Sequence, residues 1–141
     1  MKPTVIFWPV LVQVLLTLVV AMRMYAVRVA EIRARRINPQ SLATSREAAA
    51  QFENIAAADN FRNLFELPVL FFAVCLSLYV TGHVTTLQLG LAWVFVLLRC
   101  AHSFIHVTYN RVMHRFRVYF LGLLCVFTMW AVFAVQLTRD L

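Results

Sequence analysis

The 141-residue chain is 62% apolar and only 13% charged, with a net charge of +7. A soluble domain of this length cannot cover so much apolar surface with polar groups. The basic residues sit between apolar runs instead of forming an aromatic-interleaved polar surface, which argues against nucleic acid as a partner.

Four apolar runs lie near 4–27, 64–81, 86–108 and 118–137. Each approaches the roughly 20 residues that carry a helix across a bilayer. The expected fold class is therefore all-α, an integral membrane four-helix bundle. One transmembrane domain over residues 1–141 is expected, with helices near 4–34, 48–81, 86–110 and 115–138. The first run follows Lys2, as a secretory signal would. It continues through Val20, Ala21 and Met22 into Arg23 with no small-x-small cleavage site, and so reads as a retained helix beginning after Pro3, with a distortion at Pro9. Its Arg-rich end, Arg28 to Arg36, extends beyond the membrane. Loop signals follow at residues 37–50, from Ile37-Asn38-Pro39 to Thr44-Ser45-Arg46-Glu47. The Ala-rich stretch around Ala48–Ala58 should be helical and run into the second span. Pro68 inside that span should kink it and free a carbonyl about one turn earlier. The connection from Thr81 to Thr86 is so short that the second and third spans must be antiparallel neighbours.

Arg28, Arg33, Arg35, Arg36 and Arg46 fall between runs one and two, and Arg111, Arg115 and Arg117 between runs three and four. The Thr81–Thr86 connection has no Lys or Arg, and the termini add only Lys2 and Arg139. This asymmetry places both termini on the non-cytoplasmic side and both basic loops in the cytoplasm, with anionic lipid as a natural contact. Cys75, Cys100 and Cys125 all lie within the spans and form no C-x-x-C pair, so neither a disulfide framework nor a zinc site follows.

Three polar stripes converge at the basic end. Asp59, Arg62, Asn63 and Glu66 share one helical face, and so do Arg99, His102, Ser103, His106 and Tyr109 or Asn110. Arg115 and Tyr119 open the fourth span one turn apart. An ionisable group at mid-bilayer costs roughly 2.5–3.5 kcal/mol on insertion scales, so these side chains should face protein or a wet cavity. Two readings compete. Glu66 neutralises Arg99 as a register-fixing ion pair while Arg62 and Arg115 reach the headgroups, or the set binds a ligand. So many polar groups exceed what register requires, which favours a ligand. His102 and His106 have the i,i+4 spacing of metal or haem ligands, but Arg99 on the same face opposes a cation, and no metal is expected. Arginine forks suit carboxylates or phosphates, and Glu66 suits an ammonium. A small zwitterionic peptide fits that inventory, and so does an anionic lipid headgroup.

Arg62-Asn63-Leu64-Phe65-Glu66-Leu67-Pro68, with its N-x-x-E followed by Pro, resembles the second helix of the MAPEG family, the membrane-associated proteins of eicosanoid and glutathione metabolism. Arg99-Cys100-Ala101-His102-Ser103 is similar to the R-x-x-H-[ST] of its third helix, and Arg115 with Tyr119 to the opening of its fourth. Arg23-Met24-Tyr25 and the basic stretch Arg33–Arg36 look like the end of its first. The resemblance implies a homotrimer in a bacterial inner membrane, with glutathione held between subunits by Arg33, Arg62, Asn63, Glu66, Arg99 and His102. It also implies Arg115 and Tyr119 acting on the thiol, with a lipophilic small molecule as the second substrate. This chain departs from the family pattern at Asp59, where an arginine is frequent, at His106, where a tyrosine is usual, and at Phe116, where a small hydroxyl residue can occur. The expected function is a glutathione-dependent transferase or peroxidase acting on a lipophilic electrophile. The alternative is a non-catalytic trimer that binds anionic lipid or another anion.

Overall fold

The structure, a computed structural model, describes residues 2–53 and 55–139, apart from the side chains of residues 45 and 49. Six α-helices are present among them: α1 (Phe7–Arg35), α2 (Ser45–Gln51), α3 (Ala56–Asn63), α4 (Leu67–Val80), α5 (Thr86–Val107) and α6 (Val112–Thr138). Four stretches are long and apolar enough to span a bilayer: Pro3–Arg35, Ala56–Val80, Thr86–Val107 and Val112–Thr138. The protein is an all-helical integral membrane bundle, and no strand occurs among the described residues.

The chain enters α1 through a 3-10 turn at Pro3–Ile6. Pro9 falls in the first turn of α1, where backbone N–H groups have no intrahelical acceptor, so it costs no helical hydrogen bond. Helix α5 lies against α6, α3 and α1, while α4 packs mainly on α6. Helices α4 and α5 are joined by a tight turn, yet they meet mainly through side chains, with Phe71 stacked on Phe95 at 4.5 Å between ring centroids. Around that pair the core continues through Leu67, Val74, Leu78, Ala92, Val126 and Met129, reaching Ile6 of the entry turn. Within a bilayer these contacts hold the helices together by close van der Waals packing, since lipid tails are as apolar as the side chains they meet.

The second span departs from the continuous helix expected from residue 48. Helix α2 stops at Gln51 because α1 takes over its hydrogen bonds. Arg35 Nη1 donates to the Gln51 carbonyl at 2.6 Å, and the Glu53 N–H donates to Glu31 Oε1 at 2.6 Å. The buried Phe52 ring lies under the Arg28 guanidinium at 5.4 Å. Residue 54 falls outside the described residues. A second break, at Leu64–Glu66, sits one turn before Pro68, where loss of the proline N–H frees a carbonyl. There the Leu64 and Phe65 N–H groups fall back to i−3 acceptors, Phe61 and Arg62, at 3.1 and 2.9 Å.

Candidate functional site

Both breaks and the α5–α6 turn lie at the basic end, where they bring polar groups together. The inner face of α3 is formed by Ala57 and Asn60, continued by Leu64 in the break after it and by Leu67 at the start of α4. Asn60 accepts from Ser103 Oγ at 3.2 Å, stitching α3 to α5. Helix α5 buries Arg99, His102, Ser103 and His106, whereas Tyr109 and Asn110, expected on the same face, lie beyond its end and are exposed. Arg99 is only 1% exposed. Its Nη2 donates at 2.8 Å to the Asn63 carbonyl, at the break before Pro68. The guanidinium also lies over the Tyr119 ring at 5.7 Å, a cation–π contact between α5 and α6.

The buried pair of Arg99 with Glu66, the alternative to a ligand site, is not what the structure shows. Glu66 is exposed and lies beside the Tyr119 hydroxyl, and among the described residues no carboxylate is within 4.0 Å of Arg99. Arg99 Nε and Nη1 and both ring nitrogens of His102 are buried without a hydrogen-bond partner among the described residues. Unmet buried donors of this kind are costly and suit an incoming carboxylate.

A cavity of about 180 Å³ opens beside them, lined by Asn63, His102, Val112, Arg115, Phe116 and Tyr119. The His102 and Tyr119 rings, both in its lining, pack against one another at 5.9 Å between ring centroids. Arg115 Nη1 is held by Asn110 Oδ1 at 2.8 Å and by His106 Nε2 at 3.0 Å. The structure thus gathers Asn63, Arg99, His102, Arg115 and Tyr119, with Glu66 at the rim. Arg62 points outward, 3.9 Å from Asp59. Arg33 is exposed near the end of α1 and does not line the cavity. Asn60 is the buried polar residue that sequence reasoning passed over. Its signal was its offset of three from Ala57, on the inner side of the Asp59 stripe. His102 and His106 stand 5.8 Å apart between centroids, and no group of three or more His, Cys, Asp or Glu among the described residues is arranged to hold a metal ion.

These features define a multi-pass membrane bundle with an arginine- and histidine-lined recess at its basic end. The MAPEG family model matches residues 6–135, nearly the whole chain, and the protein belongs to that family. Comparisons with curated proteins and with solved structures give no match.

Proposed function

We propose that the protein is a glutathione-dependent transferase or peroxidase acting on a lipophilic electrophile at the basic, cytoplasmic end of the bundle. The observation that carries this reading is the recess itself. His102, Arg115, Tyr119 and Asn63 line the cavity with Arg99 buried behind it, and Arg99 and His102 carry unmet nitrogens. That donor chemistry fits a tripeptide with two carboxylates, and the carboxylate of Glu66 at the rim fits its ammonium. Glutathione would supply the thiol. Arg115 lowers the cost of ionising that thiol by placing positive charge beside the sulfur. The Tyr119 hydroxyl donates a hydrogen bond to the resulting thiolate. In the transferase case the sulfur bonds to the electrophilic carbon as the leaving group departs and takes up the proton. The exposed apolar faces of the helices let the second substrate arrive from the bilayer.

At about 180 Å³ the cavity is smaller than the roughly 300 Å³ at the low end of small-molecule pockets. Arg62 and Glu66 are exposed within a stretch apolar enough to span a bilayer, where uncovered charge would be costly. Both features support a homotrimer in which a neighbouring copy covers this face and completes the site.

The test is glutathione binding to the detergent-solubilised protein, followed by thermal shift and by the ultraviolet absorbance of the thiolate. Binding with a thiolate band, and loss of that band in Arg115→Ala, is expected. Full thiolate formation and turnover in Arg115→Ala would sink the mechanism. The second reading, a non-catalytic trimer binding anionic lipid, is favoured by the Asp59–Arg62 contact, which offsets one of the anchoring charges. Anionic lipid retained in native mass spectra, with no response to millimolar glutathione, is its expected signature.

A further inference from the structure

Arg115 is anchored in a way that neither its own helix nor the α5–α6 spacing requires. A guanidinium carries five N–H donors, and both hydrogens of Nη1 are spoken for, one by Asn110 Oδ1 at 2.8 Å and one by His106 Nε2 at 3.0 Å. The three donors on Nη2 and Nε have no partner among the described residues, and Arg115 lines the cavity. Because arginine cannot accept a hydrogen bond, His106 must present the lone pair of Nε2 to it, with its ring proton on Nδ1. The ring is 3% exposed and held within α5, so it is a fixed acceptor. Asn110 is fixed too. It occupies the left-handed region at φ 44, which asparagine tolerates better than most residues, and its N–H closes on the Ile105 carbonyl at 2.9 Å. The turn therefore aims one acceptor at Arg115 from the connection while α5 aims the other. The charged and titratable groups around His106 are Arg115 on α6, Asp59 on α3, Arg23 on α1, and His102 one turn away on α5.

We propose that His106 and Asn110 are positioning residues that lock the Arg115 guanidinium with three N–H donors turned to the cavity, forming a rigid fork for the sulfur anion of the bound thiol. The inference rests on the glutathione reading for its ligand, but the lock itself exists without one. A mobile arginine would lose side-chain entropy on each encounter with the anion, whereas a locked one does not.

The experiment uses the full chain in detergent, with two readouts. In the ligand-free protein, the Arg115 side-chain nitrogen resonances should report a rigid guanidinium. They should become mobile in His106→Phe, which removes the acceptor, and stay rigid in His106→Gln, whose amide oxygen replaces it. Asn110→Gly, which keeps the left-handed backbone and deletes the acceptor, should loosen Arg115 as well. With glutathione added, the pH at half-formation of the thiolate band should rise by about one unit in His106→Phe and return towards the wild-type value in His106→Gln. An Arg115 already mobile in the wild-type protein overturns the lock. A rigid Arg115 with the same thiolate titration in wild type and His106→Phe overturns its role in holding the anion. Rigid resonances that loosen in His106→Phe, without any glutathione binding, uphold the lock and overturn the glutathione reading alone.

Discussion

Gln13 is buried in the apolar half of α1 at 0% exposure, and both its amide nitrogen and its amide oxygen lack a partner among the described residues. Because the side chain is already covered within one chain, a neighbouring copy cannot reach it. An unmet amide in an apolar setting costs roughly 1–3 kcal/mol, and leucine has nearly the same bulk. Gln13→Leu should therefore raise the melting temperature of the detergent-solubilised protein, corresponding to a gain of about 1–2 kcal/mol. A fall instead would show that the amide holds a bound water whose loss is felt. Gln88 makes the contrast. It is as deeply buried, but its Nε2 donates to the Met129 carbonyl at 3.1 Å and to Gln136 Oε1 at 3.2 Å, and Gln136 in turn donates to the His83 carbonyl at 3.3 Å. Those bonds tie α5, α6 and the α4–α5 turn together, so removing the Gln88 amide breaks a network and removing that of Gln13 breaks nothing.

Helix ends show the same logic one level up. Helix α4 closes with the His83 N–H on the Leu78 carbonyl at 2.9 Å and the Gly82 N–H on the Tyr79 carbonyl at 3.3 Å, a Schellman arrangement around Gly82 at φ +75. A Cβ at Gly82 would meet nothing within 4 Å, so any cost of adding one is conformational. Gly82→Ala should lose about 1 kcal/mol of stability, measured as a lower denaturation midpoint, with the fold intact. Arg36, at φ 51, caps α1 without glycine, and the Ile37 N–H reaches the Ile32 carbonyl at 3.1 Å. The spans themselves were legible because helix length against bilayer thickness is a local property, and so was the kink before Pro68. The break after Gln51 was not, because it depends on Arg28, Glu31 and Arg35 reaching across from α1. No period within the Ala-rich stretch carries that information.

Over the whole molecule, the inward stripe of α5 was readable from its spacing, and the structure buries it from Arg99 to His106 but leaves Tyr109 and Asn110 exposed. The stripe of α3 was readable as one face but not as an outward one. That depends on Ala57, Asn60 and Leu64, which take the inner side and leave Asp59 and Arg62 outside it. We propose from the charge distribution that the recess faces the cytoplasm. Arg33, Arg35, Arg36 and Arg46 precede the second span and Arg111 and Arg117 flank the fourth, all at the recess end, whereas the opposite end has Lys2 and Arg139. Positive residues in short loops are retained in the cytoplasm. Gln40 lies in the basic connection and Thr86 at the start of α5, and both are exposed. In intact cells expressing the protein, a membrane-impermeant maleimide should label Thr86→Cys directly and Gln40→Cys only after permeabilisation. Cys75 and Cys125 are buried and Cys100 is partly so, which leaves a low background to be set against the unsubstituted protein. Labelling of Gln40→Cys in intact cells would place the recess outside. It would then face an oxidising compartment, where thiols are not kept reduced, and the proposed thiolate chemistry would fall together with the topology.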